Sequence, residues 1–558
     1  MAPTEGSFSL QTEKKDIMPS TLSKSETQEV GQQIETHDHG TKRSIKSRQA
    51  QMIAIGGSIG TGLFVGSGQA LAIAGPGFLL AAYCIMSLLV YGIFTAVIEV
   101  ASFLPVAGSA MSLHCKRFLS PSLGFALGWL YFYSFGVIVA YEITAASILI
   151  NYWPNNVHIG VWITIMLIVI VALNLCPVGV YAESEFYFAG LKVIMIFGML
   201  ILSVVLMAGG GPNHEALGFK YWHDPGATKE YLLEGPAGTF TAFLYSVVFS
   251  GFSFYFSPEL IVFTAGEMQN PRKNLPRASR QFFIRLVFFY VMSTIAIGCT
   301  CNSNSDGLTS GTGDANASPF VIAIRNVGID YLPSIINAGI LTSAWSSGNA
   351  YLYMSSRSIY SLARVGSAPK IFTRCNRHGV PIYAVLASSC FTFMAYLNCA
   401  SEAGVVFNWF INLTNTAGYL SWILCAIIFL RFRKACETQG VSVPYRSHVQ
   451  PWATWICLFS FTFLLLANGF TVFYPGQFTA SKFLTSYIGI PVFCTLWLGH
   501  KFTVGRQDPW FLDTATVDLS TGLAEVEADA EMWSNEERVR KAQKAESAPW
   551  WKKLPLRL

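Results

Sequence analysis

Charge is what this sequence has least of: only 12% of its 558 residues are Asp, Glu, Lys or Arg, while 52% are hydrophobic. Soluble chains carry roughly 25% charged residues, so the composition excludes a water-soluble globular protein and places the chain in a bilayer. Cysteine is present but unorganised. Most of the twelve stand singly in apolar runs, as Cys84, Cys390, Cys425 and Cys457 do, which fits small buried hydrophobes. Cys299 and Cys301 sit closer together, but neighbours so near in sequence form a disulfide only with strain. No metal-ligand spacing, no nucleophile with a base and no pair of catalytic acids is visible, so no enzyme, no cofactor and no metal are expected. No nucleic-acid partner is expected either. The first fifty residues are polar and contain no apolar stretch of the signal-peptide kind; 1–49 read as a disordered cytoplasmic tail.

What the chain does have is long apolar segments. Allowing roughly 20 apolar residues per crossing, spans fall near 51–72, 77–103, 122–150, 159–176, 185–209, 238–264, 281–301, 334–360, 381–400, 405–431, 452–474 and 482–500. The expected fold is an all-α membrane protein of about twelve transmembrane helices, occupying 50–501. With both tails inside, Lys116, Arg117, Arg272, Lys273, Arg277, Arg280, Arg364, Lys370, Arg374, Arg377, Arg431, Arg433 and Lys434 fall in cytoplasmic connections. Outer connections carry few cations beyond Lys220, Lys229, Arg325 and Lys482, as the positive-inside rule requires. A charged stretch, 502–558, reads as a cytoplasmic, solvated tail; its Trp550, Trp551, Lys552 and Lys553 are a candidate membrane-surface contact. Asn316 is a candidate glycosylation site weakened by Pro319.

Two spans are interrupted. The first contains GGSIGTGLFVGSG, residues 56–68. Glycine is a poor helix-interior residue, and irregular backbone at membrane depth must line protein or water. Gly60 and Gly62 open like a dinucleotide fingerprint, but its third glycine falls on Val65 and no strand precedes it. Close packing explains spaced pairs such as Gly62 with Gly66 or Gly124 with Gly128. It does not require Gly56, Gly57 and Gly60 together with Ser58 and Thr61. An unwound stretch instead exposes N–H groups that favour an anion such as an amino-acid carboxylate. Five spans later FSFYFSPEL, residues 252–260, carries Pro258, which breaks a helical ladder. Interrupted helices in corresponding positions mark the binding site of an inverted-repeat transporter.

Ionisable residues inside spans are functional candidates by default. These are Glu99, Glu142, Lys192 and Glu259, with Glu267 at a helix end. Glu99 and Glu267 lie near span ends, where pairing with loop arginines is the plainer reading. No arginine is read deep in a span. Phe252, Phe254, Tyr255, Phe256, Trp345, Phe407 and Trp409 suggest an apolar pocket at or near the breaks.

GGSIGTGLFVGSG, YEITAAS at 141–147, GEMQNPRKNLPRASRQFFIRLVFFY at 266–290 and SPFVIAIRNVGIDYLPSIINAGILTSAWSSGN at 318–349 closely resemble the fungal amino acid permeases of the amino acid, polyamine and organocation superfamily. The resemblance covers nearly all spans. It implies a LeuT-like fold of two inverted five-helix repeats plus two further helices, and proton-driven amino acid uptake at the plasma membrane. It implies that the substrate α-carboxylate meets backbone amides at Ser58, Ile59, Gly60, Thr61 and Gly62. The α-amino group would meet carbonyls around Ser253 and Phe254, under Tyr255 as an aromatic lid. Glu142 matches a substrate-region glutamate, and Lys192 matches a lysine that stands where sodium sits in sodium-driven relatives, which points to proton coupling. One departure is Ser257-Pro258-Glu259 in place of Gly-Thr-Glu, which removes a threonine hydroxyl. ILTSAWS, VFNWF and FLRFRKA (340–346, 406–410 and 429–435) resemble the proline-permease branch most. Proline and small neutral amino acids are therefore the expected substrates, with a broad-specificity permease and a nutrient receptor signalling through its tails as alternatives. Lys14, Lys15, Lys24, Lys42 and Lys46 are candidate acceptors for ubiquitin-ligase machinery.

Overall fold

The computed structural model describes residues 47–105, 110–154, 156–309, 318–399 and 403–546. Asn316, the five N-terminal lysines and the Trp550–Lys553 group lie outside the described residues. Among the described residues regular structure is entirely helical. In chain order the helices are α1 (Ser47–Ser58), α2 (Ser67–Phe103), α3 (Ala110–Phe118), α4 (Pro121–Ile150), α5 (Ile159–Leu175), α6 (Val178–Met207), α7 (Gly235–Phe254), α8 (Ser257–Phe263) and α9 (Pro271–Thr300). They continue with α10 (Asp306–Thr309), α11 (Pro319–Asn326), α12 (Leu332–Arg364), α13 (Ile382–Ser389), α14 (Ala403–Gln439), α15 (Trp452–Ala467), α16 (Ala480–Tyr487), α17 (Gly489–Phe502) and α18 (Leu523–Glu546).

Among the described residues, seven helical stretches are long and apolar enough to cross a membrane, eight when α16 and α17, bent by 44°, count as one. One of the seven, Arg48–Phe103, holds two of the expected spans. It folds at Gly75, whose φ of 81° is a left-handed conformation that a side chain disfavours, followed by Pro76. Helices α5 and α15 are apolar but shorter, and α12 is long with a polar face of Ser343, Ser346, Ser347 and Asn349.

The two breaks fall where glycine and proline place them. Helix α1 ends at Ser58 and a π-turn, Gly62–Gly66, leads into α2. Helix α7 ends at Phe254, Phe256 takes a left-handed φ of 52°, and α8 begins with Pro258 in its first turn. Proline there lacks only an N–H that would have no helical partner anyway. Helix α4 lies along α12, α2 packs on α7 and α9, and α1 is held between α6, α9 and α12. Both breaks are thereby enclosed by protein.

Helix α6 shows how the sequence sorts lipid from site. Tyr187, Leu191, Ile194, Ile201 and Val205 are exposed at the three- and four-residue spacing of one helical face. Glu185, Ala189, Lys192, Ile196 and Met199 are buried on the other.

The segment after Phe502, read from sequence as a solvated tail, lies against the helical body. Leu512 N–H donates to Leu119 O at 2.9 Å. Arg117 donates to Asp518 O and Thr521 O and pairs with the Asp518 carboxylate at 3.2 Å. Arg431 reaches Leu512 O, and Gln439 reaches Thr514 O and Val517 O. Helix α18 follows, with Glu527 3.7 Å from Arg272 at the start of α9. Lys116, Arg117, Arg272, Arg431 and Arg433 therefore share one end of the molecule, and Lys220 and Lys229 the other.

Candidate substrate-binding site

Interrupting a helix releases carbonyl groups that must find partners in the membrane interior. At the first break they find side chains of three helices. Gly56 O and Ile59 O accept from Lys192 Nζ of α6 at 2.5 and 3.0 Å. Gly57 O accepts from Ser347 Oγ of α12 at 3.0 Å, and Ile59 O also from Ser343 Oγ at 3.0 Å. Ser58 O accepts from Tyr290 OH of α9 at 2.6 Å. The same hydroxyl lies 2.6 Å from Ser253 O, so its single proton is shared between the carbonyls of the two breaks.

The glycines are required by what approaches them. A Cβ on Gly60 would lie 2.2 Å from Glu142 Oε1 and 2.9 Å from Ser347 Oγ, and one on Gly56 would lie 2.5 Å from Glu185 Oε1. Two carboxylates thus approach the backbone through the space that missing side chains leave, Glu185 at the last turn of α1 and Glu142 at the unwound stretch after it. Glu142 Oε2 accepts from Thr61 Oγ1 at 3.0 Å, and Thr61 Oγ1 in turn lies 3.0 Å from Tyr141 OH. Glu185 accepts from Ser346 Oγ at 2.6 Å and Asn349 Nδ2 at 3.0 Å. Lys192 is buried and interacts electrostatically with both carboxylates. It does not extend to the membrane surface.

Gly57, Ser58, Gly60, Gly62, Ile138, Glu142, Phe252, Ser253, Tyr255, Tyr351 and Thr414 enclose a small cavity between the breaks. Its volume of about 20 Å³ holds roughly one water, so the walls have closed together. Of the residues marked from sequence, Ser58, Gly60, Gly62, Glu142, Ser253 and Tyr255 line it. Ile59 and Thr61 adjoin it and spend their oxygens on Lys192, Ser343 and Glu142. Phe254 does not face it: its ring packs on Tyr290 and Tyr83 at 4.6 and 5.8 Å, and its carbonyl accepts from Ser257 Oγ at 2.5 Å. Of the remaining aromatics, Phe252 lines the cavity, Phe256 packs on Phe135, Phe407 on Tyr141 and Trp345 on Phe188. Tyr141 also meets Phe252 edge to face at 4.9 Å.

Three ionisable groups behave differently from the sequence reading. Glu185, the first residue of an expected span and unmarked as a candidate, is fully buried; the signal for it is its place seven residues before Lys192, two turns along the same face. Arg357 is an arginine within a span, contrary to the expectation of none. It is buried and committed to Glu267 at 3.1 Å, beneath Tyr353, so it is not available to a substrate. Glu267 thus pairs with a helix residue, whereas Glu99 pairs with Arg433 at the end of α14, at 3.1 Å. Glu259 is buried among neutral donors, Ser421 Oγ at 2.7 Å and Trp422 Nε1 at 3.4 Å. Among the described residues no group of three or more His, Cys, Asp or Glu is placed to hold a metal ion, and Cys299 and Cys301 are buried free thiols.

Two enclosed, interrupted helices with a backbone cradle, a lysine and carboxylates at membrane depth define a membrane transporter with discontinuous-helix binding. The fold is similar to that of a manganese transporter from Eremococcus coleocola, with a TM-score of 0.53 at 12% identity over 87% of this chain and 94% of that one. Residues 49–513 match the amino acid permease family, and the chain belongs to it. It is 47% identical to a proline-specific permease of Emericella nidulans (89% of this chain, 90% of the relative) and 43% identical to one of Saccharomyces cerevisiae (88% and 80%). It is also 40% identical to a dicarboxylic amino acid permease of S. cerevisiae, over 86% of this chain and 80% of the relative.

Proposed function

We propose that this chain takes up proline and small neutral amino acids together with a proton, by alternating access across the plasma membrane. The observation that carries the reading is the shared space at the first break, where the Gly60–Gly62 backbone and the Glu142 carboxylate border one cavity. A substrate carboxylate on those amides would repel an ionised Glu142 in a low-dielectric site, and a like charge at that distance favours the protonated acid. Around Lys192 stand two carboxylates, Glu142 and Glu185. One added proton makes that group of three neutral, and a zwitterionic amino acid leaves it neutral. Buried net charge is costly, so one proton per amino acid is the balanced stoichiometry. Lys192, held by two carbonyls of the broken helix, reports the shape of that helix to the carboxylates as α1 and α8 move.

Substrate choice follows from the lining. Its one ionisable carboxylate is Glu142, and no described lining residue is a cation, so a second substrate carboxylate has no partner. Phe252, Ile138 and Tyr351 instead suit a compact apolar side chain. The names of the two proline-specific permeases reported above agree with this reading. Both termini are assigned to the cytoplasm from the arginines and lysines gathered with residues 503–546 at one end. The N-terminal lysines are on that side for ubiquitin-ligase machinery. The substrate leaves chemically unchanged, so no enzymatic step is involved.

The test is uptake of labelled proline, alanine, glutamate and lysine in cells lacking their own permeases, at two external pH values, with and without a protonophore. Proline-led uptake that collapses with the protonophore is expected. Protonophore-insensitive uptake, or equal uptake of glutamate and lysine, refutes the reading.

A further inference from the structure

An interrupted helix offers its carbonyls to a bound substrate, and a buried ammonium needs an acceptor for each of its N–H groups. In this chain the carbonyls at both breaks are already engaged. At the first break Gly56, Gly57, Ser58 and Ile59 each accept from a side chain. At the second, Phe252 O accepts from Tyr255 N–H at 3.4 Å, Phe254 O from Ser257 Oγ, Tyr255 O from Tyr351 OH at 3.3 Å and Phe256 O from Leu260 N–H at 2.8 Å. Ser253 O shares the Tyr290 proton with Ser58 O.

Tyr290 holds the place that decides most. Its oxygen stands 2.6 Å from each of two carbonyls, on Ser58 and Ser253, whose residues both border the central cavity. An ammonium nitrogen bridging the two broken helices would need that same position. The ring is not free to swing aside: it is buried, edge to face with Phe254 at 4.6 Å and with Tyr83 at 6.1 Å. Each carbonyl keeps a second lone pair, so an ammonium can still be held from the cavity side, but not in the bridge. A charged N–H left without an acceptor in a buried site is costly. A secondary ammonium, with two N–H groups, has one fewer to satisfy than a primary one, with three.

We propose that Tyr290, seconded by Tyr351, makes the central site prefer secondary over primary amino acids, by occupying the acceptor positions that the third N–H of a primary ammonium would use. Tyr290 is a positioning residue, acting through the carbonyls of Ser58 and Ser253. Tyr351 acts in the same way through the carbonyl of Tyr255, another cavity residue. The protein thus reads the substituted nitrogen of its substrate as well as the compactness of the side chain. Isomers separate the two features. Sarcosine and alanine share formula and charge and differ only in whether the methyl group sits on nitrogen or on the α-carbon.

The proposal rests on the amino-acid reading above, and its test separates the two. Displacement of labelled L-proline from the purified full chain in lipid nanodiscs is measured with sarcosine and alanine, and again with the isomers N-methylalanine and α-aminobutyrate. In the wild type the secondary amine of each pair should displace proline at about tenfold lower concentration, the worth of one hydrogen bond to a charged group. Tyr290→Phe frees two cavity carbonyls and should abolish that difference. Tyr351→Phe frees only Tyr255 O and should narrow it, which carries the test alone if the Tyr290 variant does not fold. Tyr419→Phe is the control: its hydroxyl donates to Val248 O at 2.8 Å, on a residue that does not border the central cavity, so the ratio should stay as in the wild type. A ratio read within one variant does not follow expression or overall stability. Alanine binding as tightly as sarcosine in the wild type, or a wild-type ratio in Tyr351→Phe and in any folded Tyr290→Phe, overturns the proposal and leaves the transport reading standing; no proline binding in the wild type overturns both.

Discussion

Substituting Gly60 by alanine tests the central site with a single methyl group. The new Cβ would sit 2.2 Å from Glu142 Oε1, well inside the 3.4–4 Å of ordinary contact. The obstructing atom ends a flexible side chain, so Glu142 can swing away and the fold survives. The cost falls on function. Moving the carboxylate breaks its 3.0 Å bond from Thr61 Oγ1, and a hydrogen bond to a charged group is worth about 1.5–3 kcal/mol. That converts to roughly a ten- to hundredfold loss of proline affinity. Uptake is measured in permease-deficient cells, with surface expression and thermal stability followed in parallel. Gly66→Ala is the control: in the same glycine-rich stretch, its Cβ would lie 3.5 Å from the Phe249 ring, an ordinary contact. Wild-type affinity in Gly60→Ala, or equal losses in both variants, would refute the assignment of this backbone to the substrate.

Lys192→Met leaves Glu142 and Glu185 buried without their cation, a loss of about 3–5 kcal/mol, and should abolish accumulation against a gradient; undiminished concentrative uptake would reject the lysine's role. Glu185→Gln keeps a hydrogen-bonding group between Ser346 and Asn349 but removes a charge, so uptake should lose most of its dependence on external pH while expression holds, as a pH series of initial rates would show. At the docked C-terminal segment the Asp518 carboxyl works against a burial penalty that raises its pKa. Hydrogen bonds from Thr521 and Ser520 and the charge of Arg117 nevertheless bring it from 3.8 down to about 2. A depressed carboxylate contributes its full stabilisation above the unfolded value and loses it as pH falls through the folded one. Protease protection of residues 503–522 in the purified protein should therefore be constant from pH 8 to about 5 and decline only between about 4 and 2; a decline near neutrality would refute the pairing.

The breaks were legible because their causes are local: glycines with no side chain to clash, and a proline that cannot continue a helix. Glu142 and Lys192 were legible because each stands alone in an apolar run. Glu185 was not. Its neighbour Glu183 lowers the local hydropathy, which moved the expected span start to 185, whereas α6 begins at Val178 directly after Pro177. Seven residues of helix were lost to the reading, and with them the face that Glu185 shares with Lys192. The serines of α12 and Tyr290 of α9 went unmarked for a different reason. They act on carbonyls of a helix more than 200 residues away in sequence, and nothing in their own segments announces which backbone they will complete. The same holds for the solvated reading of residues after Phe502, whose anchoring groups lie on the partners.

The partners that seat residues 503–522 mostly hold main-chain oxygens. Arg117, Arg431, Gln439 and Lys501 reach the carbonyls of Asp518, Thr521, Leu512, Thr514, Val517, Gly505 and Asp508, and every residue type supplies a carbonyl. Most side chains along this segment are thus free to drift over evolutionary time without loosening it, apart from Asp518 and the buried Val517 and Leu519. The heritable information for the seat is written in the body of the transporter, so chains with dissimilar endings can follow one path across this end of the protein.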